Sequence, residues 1–386
     1  MMQPSYDLII IGAGAMGTFH AYHAGLMGKK VLVVERDQQP VNATVRNFGM
    51  VIASGMSGKW FDYGVYATQL YKTIQQRHNI SVRNNGSLYI ASEESEQKLI
   101  HALKLHYDTI GYHGELLTQK QLLDKHPALN AAYCKEALYF PQEVSVEPNL
   151  FIHRLHDYIA GTFSNLKFLM SAAAIDCSIS ANEVIVTMAG GQQFRAAKVA
   201  ICSGHEFKLL FPALFGQQKL SVSKLQMLRT KPNKSLALEG NIATGLSIRR
   251  YEAFTSLPEF GSITTPEPLR ELENYGIHIL FKKAIDGSLI IGDSHQYRPA
   301  VEKEQLGYHL DQHINNLMLN EAKRIANIDT SDITESWAGY YSLHDTEEIF
   351  EHTIDDKIFI ATGIGGKGMT CSAGFAEENI RRIFDN

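Results

Sequence analysis

The sequence predicts an α/β chain, α+β overall: a parallel-sheet domain interrupted by a β-rich domain with flanking helices. Three observations predict it. An apolar run, Leu8-Ile9-Ile10-Ile11, passes through glycines into a helix-compatible segment and then a second run, Val31-Leu32-Val33-Val34. Uninterrupted runs of this kind mark parallel strands buried on both faces. Residues 198–204 form another buried-type strand ending in small residues, and residues 357–370 form a strand and a glycine-rich loop before a closing helix. Between these landmarks residues 220–293 are rich in alternating patterns, as half-buried strands are. At 386 residues the chain exceeds what one core usually serves. The expected division is 1–80, 145–215 and 330–386 for the first domain, with 81–144 and 216–329 for the second.

Residues 7–35 form one βαβ unit. Gly12-Ala13-Gly14-Ala15-Met16-Gly17 follows the first strand and opens the helix. Gly12 permits the tight turn, Gly14 lets a pyrophosphate approach the backbone, and Gly17 lets helix and strand pack closely. The helix N-terminus offers N–H groups and a positive dipole end to phosphates. Glu35 ends the second strand, where a carboxylate can accept hydrogen bonds from ribose hydroxyls. A glycine-rich turn in some other α/β protein is the bland alternative. The strand before, the helix after and the acidic residue beyond weigh against it.

Composition narrows the function classes. Hydrophobic content of 45% and charge of 20% are ordinary for a globular chain. A net charge of −5 argues against nucleic-acid binding driven by bulk charge. The aromatic residues do not interleave with basic ones as a nucleic-acid platform requires. Cys134, Cys177, Cys202 and Cys371 are scattered, so neither a disulfide framework nor a zinc knuckle is expected, and a reducing, cytoplasmic setting fits. The first apolar run reads as a strand rather than a signal peptide. No stretch approaches the ~20 apolar residues of a membrane span.

The elements between the landmarks follow in order. Residues 59–78 space Tyr63, Tyr66, Leu70 and Ile74 as a helix does. Residues 81–92 read as two short strands around Asn84-Asn85-Gly86. Residues 93–110 form an amphipathic helix, and Thr118 opens another that His126-Pro127 stops. A return to the first domain is expected after Leu138-Tyr139-Phe140-Pro141, with a helix over 149–162. Strand-like pieces follow at 168–169, 173–175, 183–186 and 193–194. Asp286-Gly287 joins two strands as a hairpin. Residues 301–325 read as one long helix with Leu306, Leu310, Ile314, Leu317 and Ile325 on one face. His309 and His313 are four apart on it, but lack the glutamate of a zinc-binding HExxH pattern. No metal site is expected.

Three motifs in order resemble the FAD-dependent oxidoreductases of the D-amino-acid oxidase, glycine oxidase and sarcosine oxidase family. They are Gly12, Gly14 and Gly17 with Glu35; Ala200-Ile201-Cys202-Ser203-Gly204; and Gly363-Ile364-Gly365-Gly366-Lys367-Gly368. The likeness runs over essentially the whole chain and implies a Rossmann-like FAD-binding domain interrupted by a substrate domain. It places FAD along Gly12, Ala13, Gly14, Ala15, Met16 and Gly17, with Glu35 and Arg36 at the adenosine end. It adds Arg46, Asn47, Phe48 and Gly49, then Ser203 and Gly204, as further cofactor contacts. Gly363, Gly365, Gly366, Lys367, Gly368 and Met369 complete them, the glycine loop donating N–H groups near the flavin N1 and C2=O. Some family members tether the flavin to a cysteine near the tyrosine-containing run at 337–342. No cysteine lies between Cys202 and Cys371, and Cys371 reads as a small buried hydrophobe, so non-covalent FAD is expected.

The resemblance also implies the reaction. An amine or amino acid presents its C–H to the flavin N5, a hydride leaves, and the resulting imine hydrolyses to a carbonyl compound. Dioxygen or another acceptor takes the electrons. Catalytic candidates are Arg46, Lys367, Tyr340 and His295, with Tyr251 and His278 as further candidates. Lys367 reads equally well as a solvated loop lysine, Arg46 as a surface charge, and most of the 16 histidines are structural. Relatives resembling glycine oxidase carry an arginine soon after a glycine-containing strand, where it clamps a carboxylate. Here that run is Trp337-Ala338-Gly339-Tyr340-Tyr341-Ser342, so Arg46 is the expected anion partner. A narrower likeness, in residues 45–51, 224–229 and 292–295, is to a subgroup associated with aminophosphonate breakdown. The expected partner is thus a small anionic amine. An NAD-dependent dehydrogenase has no need of the C-terminal glycine loop; a flavin-binding module without turnover is the reading from another class.

Overall fold

A computed structural model describes residues 5–385. Five parallel strands form the middle of the first sheet, in the order Ile358–Thr362, Gln193–Ile201, Tyr6–Ile11, Val31–Val34 and Leu166–Leu169. Phe350–Ile354 adds an antiparallel edge, and Ala174–Ser180 with Glu183–Met188 extends Gln193–Ile201 as an antiparallel pair. Side chains of the first strand alternate between two cores. Leu8 and Ile10 pack with Phe19, Tyr71, Phe151 and Ala373. Ile9 and Ile11 pack with Val184, Phe207 and Phe215. Burying each such side chain contributes roughly 1.5–3 kcal/mol, which explains the uninterrupted apolar run. The helices Ala15–Leu26, Gly58–Arg77 and Gly368–Asp385 pack together over the first of these faces.

The second sheet has nine strands. Leu220–Thr230 is its spine, paired antiparallel with Ile333–His344, Leu289–Gly292 and Gln296–Pro299. The sheet continues through Leu280–Lys283, Asn241–Ala243, Ser87–Ala91, Glu136–Phe140 and Glu115–Thr118. Ile333–His344 therefore belongs to this sheet, and the chain rejoins the first sheet at Phe350. A buried ion group ties the two halves of the chain. Glu147, at the start of the helix Pro148–Thr162, meets Arg83 at 2.9 Å and Lys282 of the second sheet at 3.1 Å. Burial pushes the Lys282 ammonium down to about 8.

The hairpin at 286–287, the capping box of Thr118 and Gln121, and the helices Gly58–Arg77 and Glu94–Thr109 stand where the sequence places them. Two expected elements differ. The hairpin around 84–86 does not form: Ser87–Ala91 pairs with Glu136–Phe140 and, in parallel, with the remote Asn241–Ala243. The long helix over 301–325 is two pieces, Ala300–Leu306 and Gln312–Ile325. Gly307, at φ +54°, breaks the first, and Asp311 caps the second by accepting the His313 N–H at 2.8 Å. His309 therefore lies outside a helix, and His313 pairs with Glu271. Among the described residues no helix is long and apolar enough to cross a membrane.

Three buried histidines make acid lability a specific expectation. Burial pushes His23 down to about 3, and His126 and His156 down to about 4. The unfolded chain then takes up these protons first, at about 6.5. Stability from this source is complete above pH ~6.5 and falls as pH drops toward 4, by up to about 1.4 kcal/mol per unit for each histidine. Thermal melts from pH 7.5 to 5 are expected to show a falling Tm below 6.5. A flat profile contradicts the assignment.

Candidate active site

A single cleft of about 450 Å³ runs from the carboxyl ends of the first sheet to the second sheet. Its first wall is the glycine turn. Gly12 sits at φ +106°, where a Cβ would lie 2.4 Å from the Cys202 carbonyl oxygen. A Cβ on Gly17 would lie 1.9 Å from the Gly12 carbonyl oxygen. Strand, turn and helix approach as closely as backbones can. Glu35 closes the turn: Oε2 accepts the Ala13 N–H at 2.9 Å, and Oε1 accepts the Asp37 N–H at 3.0 Å. The helix Ala15–Leu26 begins at Gly14, which has no capping side chain. Thr44 reaches across to accept the Ala15 N–H at 3.0 Å. His156, held neutral at neutral pH, braces the turn from behind through Ala13 O and Thr18 Oγ1.

The second wall is residues 41–49 and the C-terminal glycine loop. Asn47 shapes its own turn, donating to the Ala43 and Thr44 carbonyls and accepting the Gly49 N–H. Gly363 and Gly365 have φ of +76° and +65°, and the closing helix Gly368–Asp385 starts from this loop. Ser342 Oγ accepts the Gly363 N–H at 3.1 Å and so ties the loop to the second sheet. Cys202, also on the wall, is kept a thiol by burial, which pushes it up to about 12.

The far end of the cleft is polar. His278, Asp293 and His295 line it with Arg250, Tyr251 and Tyr341. His295 Nδ1 meets the Tyr341 hydroxyl at 3.0 Å, and His278 Nδ1 meets Ser247 Oγ at 3.1 Å. Burial pushes His295 down to about 4, against the pull of Asp293. The two histidines outweigh burial at Asp293 and hold its carboxyl well below the usual range. Burial raises Tyr251 and Tyr341, so both hydroxyls remain donors. Arg250 Nη2 donates to the Tyr297 hydroxyl at 2.6 Å, and that ring stacks on His295.

The expected site residues assemble unevenly. Gly12, Gly14, Ala15, Met16, Glu35, Arg36, Arg46, Asn47, Phe48, Gly49, Ser203 and Gly204 all line the cleft, as do Gly363, Gly365, Gly366, Lys367, Gly368 and Met369. Ala13 and Gly17 sit just behind the wall and set its shape. Three catalytic candidates, though they line the cleft, have their polar groups engaged by other parts of the chain. Arg46 is exposed at the rim and donates to the Val41 and Ala338 carbonyls, bridging a loop to a strand. The Lys367 ammonium is paired with Glu252 and Glu348 and lies over the Trp60 ring, so it is no free cation. Tyr340 turns its hydroxyl away to the Gly307 carbonyl; its neighbour Tyr341 faces His295. Sequence reading missed Arg250, Asp293 and Tyr341 as site residues. Arg250 had no signal, because its neighbour Arg249 is the same residue type yet is consumed by Glu96 and Glu93.

A family model described as DAO, FAD dependent oxidoreductase, matches residues 7–381. The chain belongs to this family. One curated relative is the mitochondrial pyruvate dehydrogenase phosphatase regulatory subunit of Mus musculus, 24% identical over 36% of this chain and 16% of its own length. Another is glycine oxidase of Bacillus licheniformis, 31% identical over 25% of this chain and 29% of its own. The matched stretches thus span under a third of these relatives. The chain also shares its fold with L-proline dehydrogenase from P. horikoshii, at TM-score 0.81 and 16% identity, covering 100% of this chain and 94% of that one.

The cradle fits the dinucleotide. The turn tolerates no Cβ at Gly12 or Gly17, the helix start at Gly14 faces the cleft with only Thr44 across from it, and a second helix start closes the other side. Residues 12–17 and Glu35 would hold the adenosine and pyrophosphate, and residues 363–369 the flavin. Bound FAD supplies the two-electron oxidant; orientation and anion recognition come from the chain.

Proposed function

We propose that this DAO-family enzyme oxidises the C–N bond of a small amine bearing an anionic group, with an aminophosphonate as the favoured substrate. The observation that carries the reading is Arg250, a guanidinium on the cleft wall pre-aligned by the Tyr297 hydroxyl, beside the hydroxyls of Tyr251 and Tyr341. A planar fork suits a phosphonate or carboxylate because it donates two parallel hydrogen bonds. Clamping the anion there turns the amine end toward residues 363–369, where the flavin binds. Tyr341, fixed by His295, adds a donor.

What favours phosphonate is the narrower likeness. Its three segments, 45–51, 224–229 and 292–295, are far apart in the chain, yet each contributes residues to the same cleft. The division of labour we propose follows the two sheets, with the first holding FAD, the second holding substrate, and the later boundary near residue 345. Four buried free cysteines support a cytoplasmic setting. Dioxygen or another acceptor takes the electrons.

The test is anaerobic mixing of the FAD-loaded protein with a panel of amines while flavin absorbance is followed. A small aminophosphonate is expected to bleach it faster than glycine, sarcosine or a D-amino acid. Equal or reversed preference removes the phosphonate assignment and leaves the family intact. Absorbance that no amine bleaches favours a flavin-binding module without turnover, the reading that the regulatory-subunit relative supports.

A further inference from the structure

We propose that His278, Asp293 and His295 bind a divalent transition-metal ion, zinc first, at the polar end of the cleft. The inference rests on the geometry of these three side chains and not on the substrate reading. His278 Nε2 lies 3.1 Å from Asp293 Oδ1, His295 Nε2 lies 3.4 Å from the same oxygen, and the two Nε2 atoms are 3.3 Å apart. Bonds of ~2.0–2.1 Å from a tetrahedral ion give ligand-to-ligand edges of about 3.3–3.4 Å. Two edges of the observed triangle match, and the His278–Asp293 edge, at 3.1 Å, is slightly shorter.

Among the described residues these three atoms face chiefly one another. Asp293 Oδ1 is buried and has no aligned hydrogen-bond donor among the described residues. A single proton satisfies one edge of the triangle and leaves a lone pair opposed to the others. A cation at the centre satisfies all three, as a buried carboxylate requires. The outer contacts are those of a metal site. His278 Nδ1 is held by Ser247, and His295 Nδ1 by Tyr341 and by Ser223 at 3.3 Å. With Nδ1 carrying the proton, each Nε2 lone pair points inward. The framework is stiff, because His278 and Asp293 exchange both backbone hydrogen bonds at 3.1 Å.

Donor type selects the ion. Two imidazoles and one carboxylate suit zinc, iron(II) or cobalt(II), and disfavour magnesium and calcium, which take oxygen ligands. All three side chains line the cleft, so a fourth position is open to water or to an anionic oxygen of a bound molecule.

The experiment uses FAD-loaded protein, stripped with a chelator and dialysed against zinc at micromolar concentration, with metal and flavin measured together. Wild type is expected to hold about one zinc per flavin, and His278→Gln and Asp293→Asn each about a tenth of that or less, with flavin content unchanged. Cobalt(II) is expected to give ligand-field bands in wild type only. Should one variant lose its flavin, the other variant and the wild-type stoichiometry still decide. Sub-stoichiometric zinc in wild type, or full zinc in the flavin-replete variants, overturns the proposal. Amine preference of the untreated enzyme is read separately, so failure here leaves the substrate reading standing.

Discussion

Gly17→Ala is expected to purify as a nearly colourless protein, with FAD content below about a tenth of wild type. The added Cβ would sit 1.9 Å from the Gly12 carbonyl oxygen, backbone against backbone, with the Ile10 side chain 3.1 Å away on the same side. No rotamer relieves that contact. The helix Ala15–Leu26 must lift off the strand Tyr6–Ile11, and its N–H groups leave the phosphates with it. Gly28→Ala is the control. Gly28 has positive φ, at +71°, which Gly17 does not, and nothing lies within 4 Å of its Cβ. It carries only the strain of a left-handed residue, about 1–2 kcal/mol. That variant is expected to lose some melting temperature and keep its flavin. Absorbance per protein of the purified variants checks both. Full flavin in Gly17→Ala would mean that close helix–strand packing is not what aligns the cofactor.

What could be read from the sequence was local. The βαβ unit declares itself because strand, turn and helix are adjacent in the chain and each residue's role is set by its neighbours. The polar end of the cleft is non-local. Tyr340 and Tyr341 differ by one position in a strand, and parity alone decides which faces the site. Pairing settles it: Tyr341 lies opposite Ser223, which also faces His295, and Tyr340 lies opposite Lys224, which faces residues 306–309. The register belongs to a partner strand over a hundred residues away, so no pattern within residues 337–342 reveals it. Ser87–Ala91 is legible as a strand, but its pairing is not, because its partners are remote. The helix over 301–325 was misread differently. Its apolar spacing is helical throughout, and one glycine with one capping aspartate outweighs the periodicity.

Arg250→Met is expected to raise the amine concentration needed for half-maximal flavin bleaching by roughly 10²–10⁴-fold, and Arg46→Met by only a few-fold. The larger figure follows from losing two charged hydrogen bonds of about 1.5–3 kcal/mol each, where about 1.4 kcal/mol is tenfold. The two arginines differ in what they have left to give. Arg46 already spends its guanidinium on the Val41 and Ala338 carbonyls at the rim. Its removal should loosen the loop that carries Thr44 and Asn47, and so weaken flavin retention more than amine affinity. Arg250 has a hydroxyl partner that orients it and, among the described residues, no ion pair within 4 Å; Glu93 and Glu96 are taken by Arg249, and Asp293 is the carboxylate that acts on it at longer range. Arg250→Lys should recover part of the loss, because it restores charge without the fork. Stopped-flow bleaching against substrate concentration, with flavin content as the folding control, separates the cases. A larger penalty at Arg46 than at Arg250 would return the anion to Arg46, the partner that the family resemblance implies.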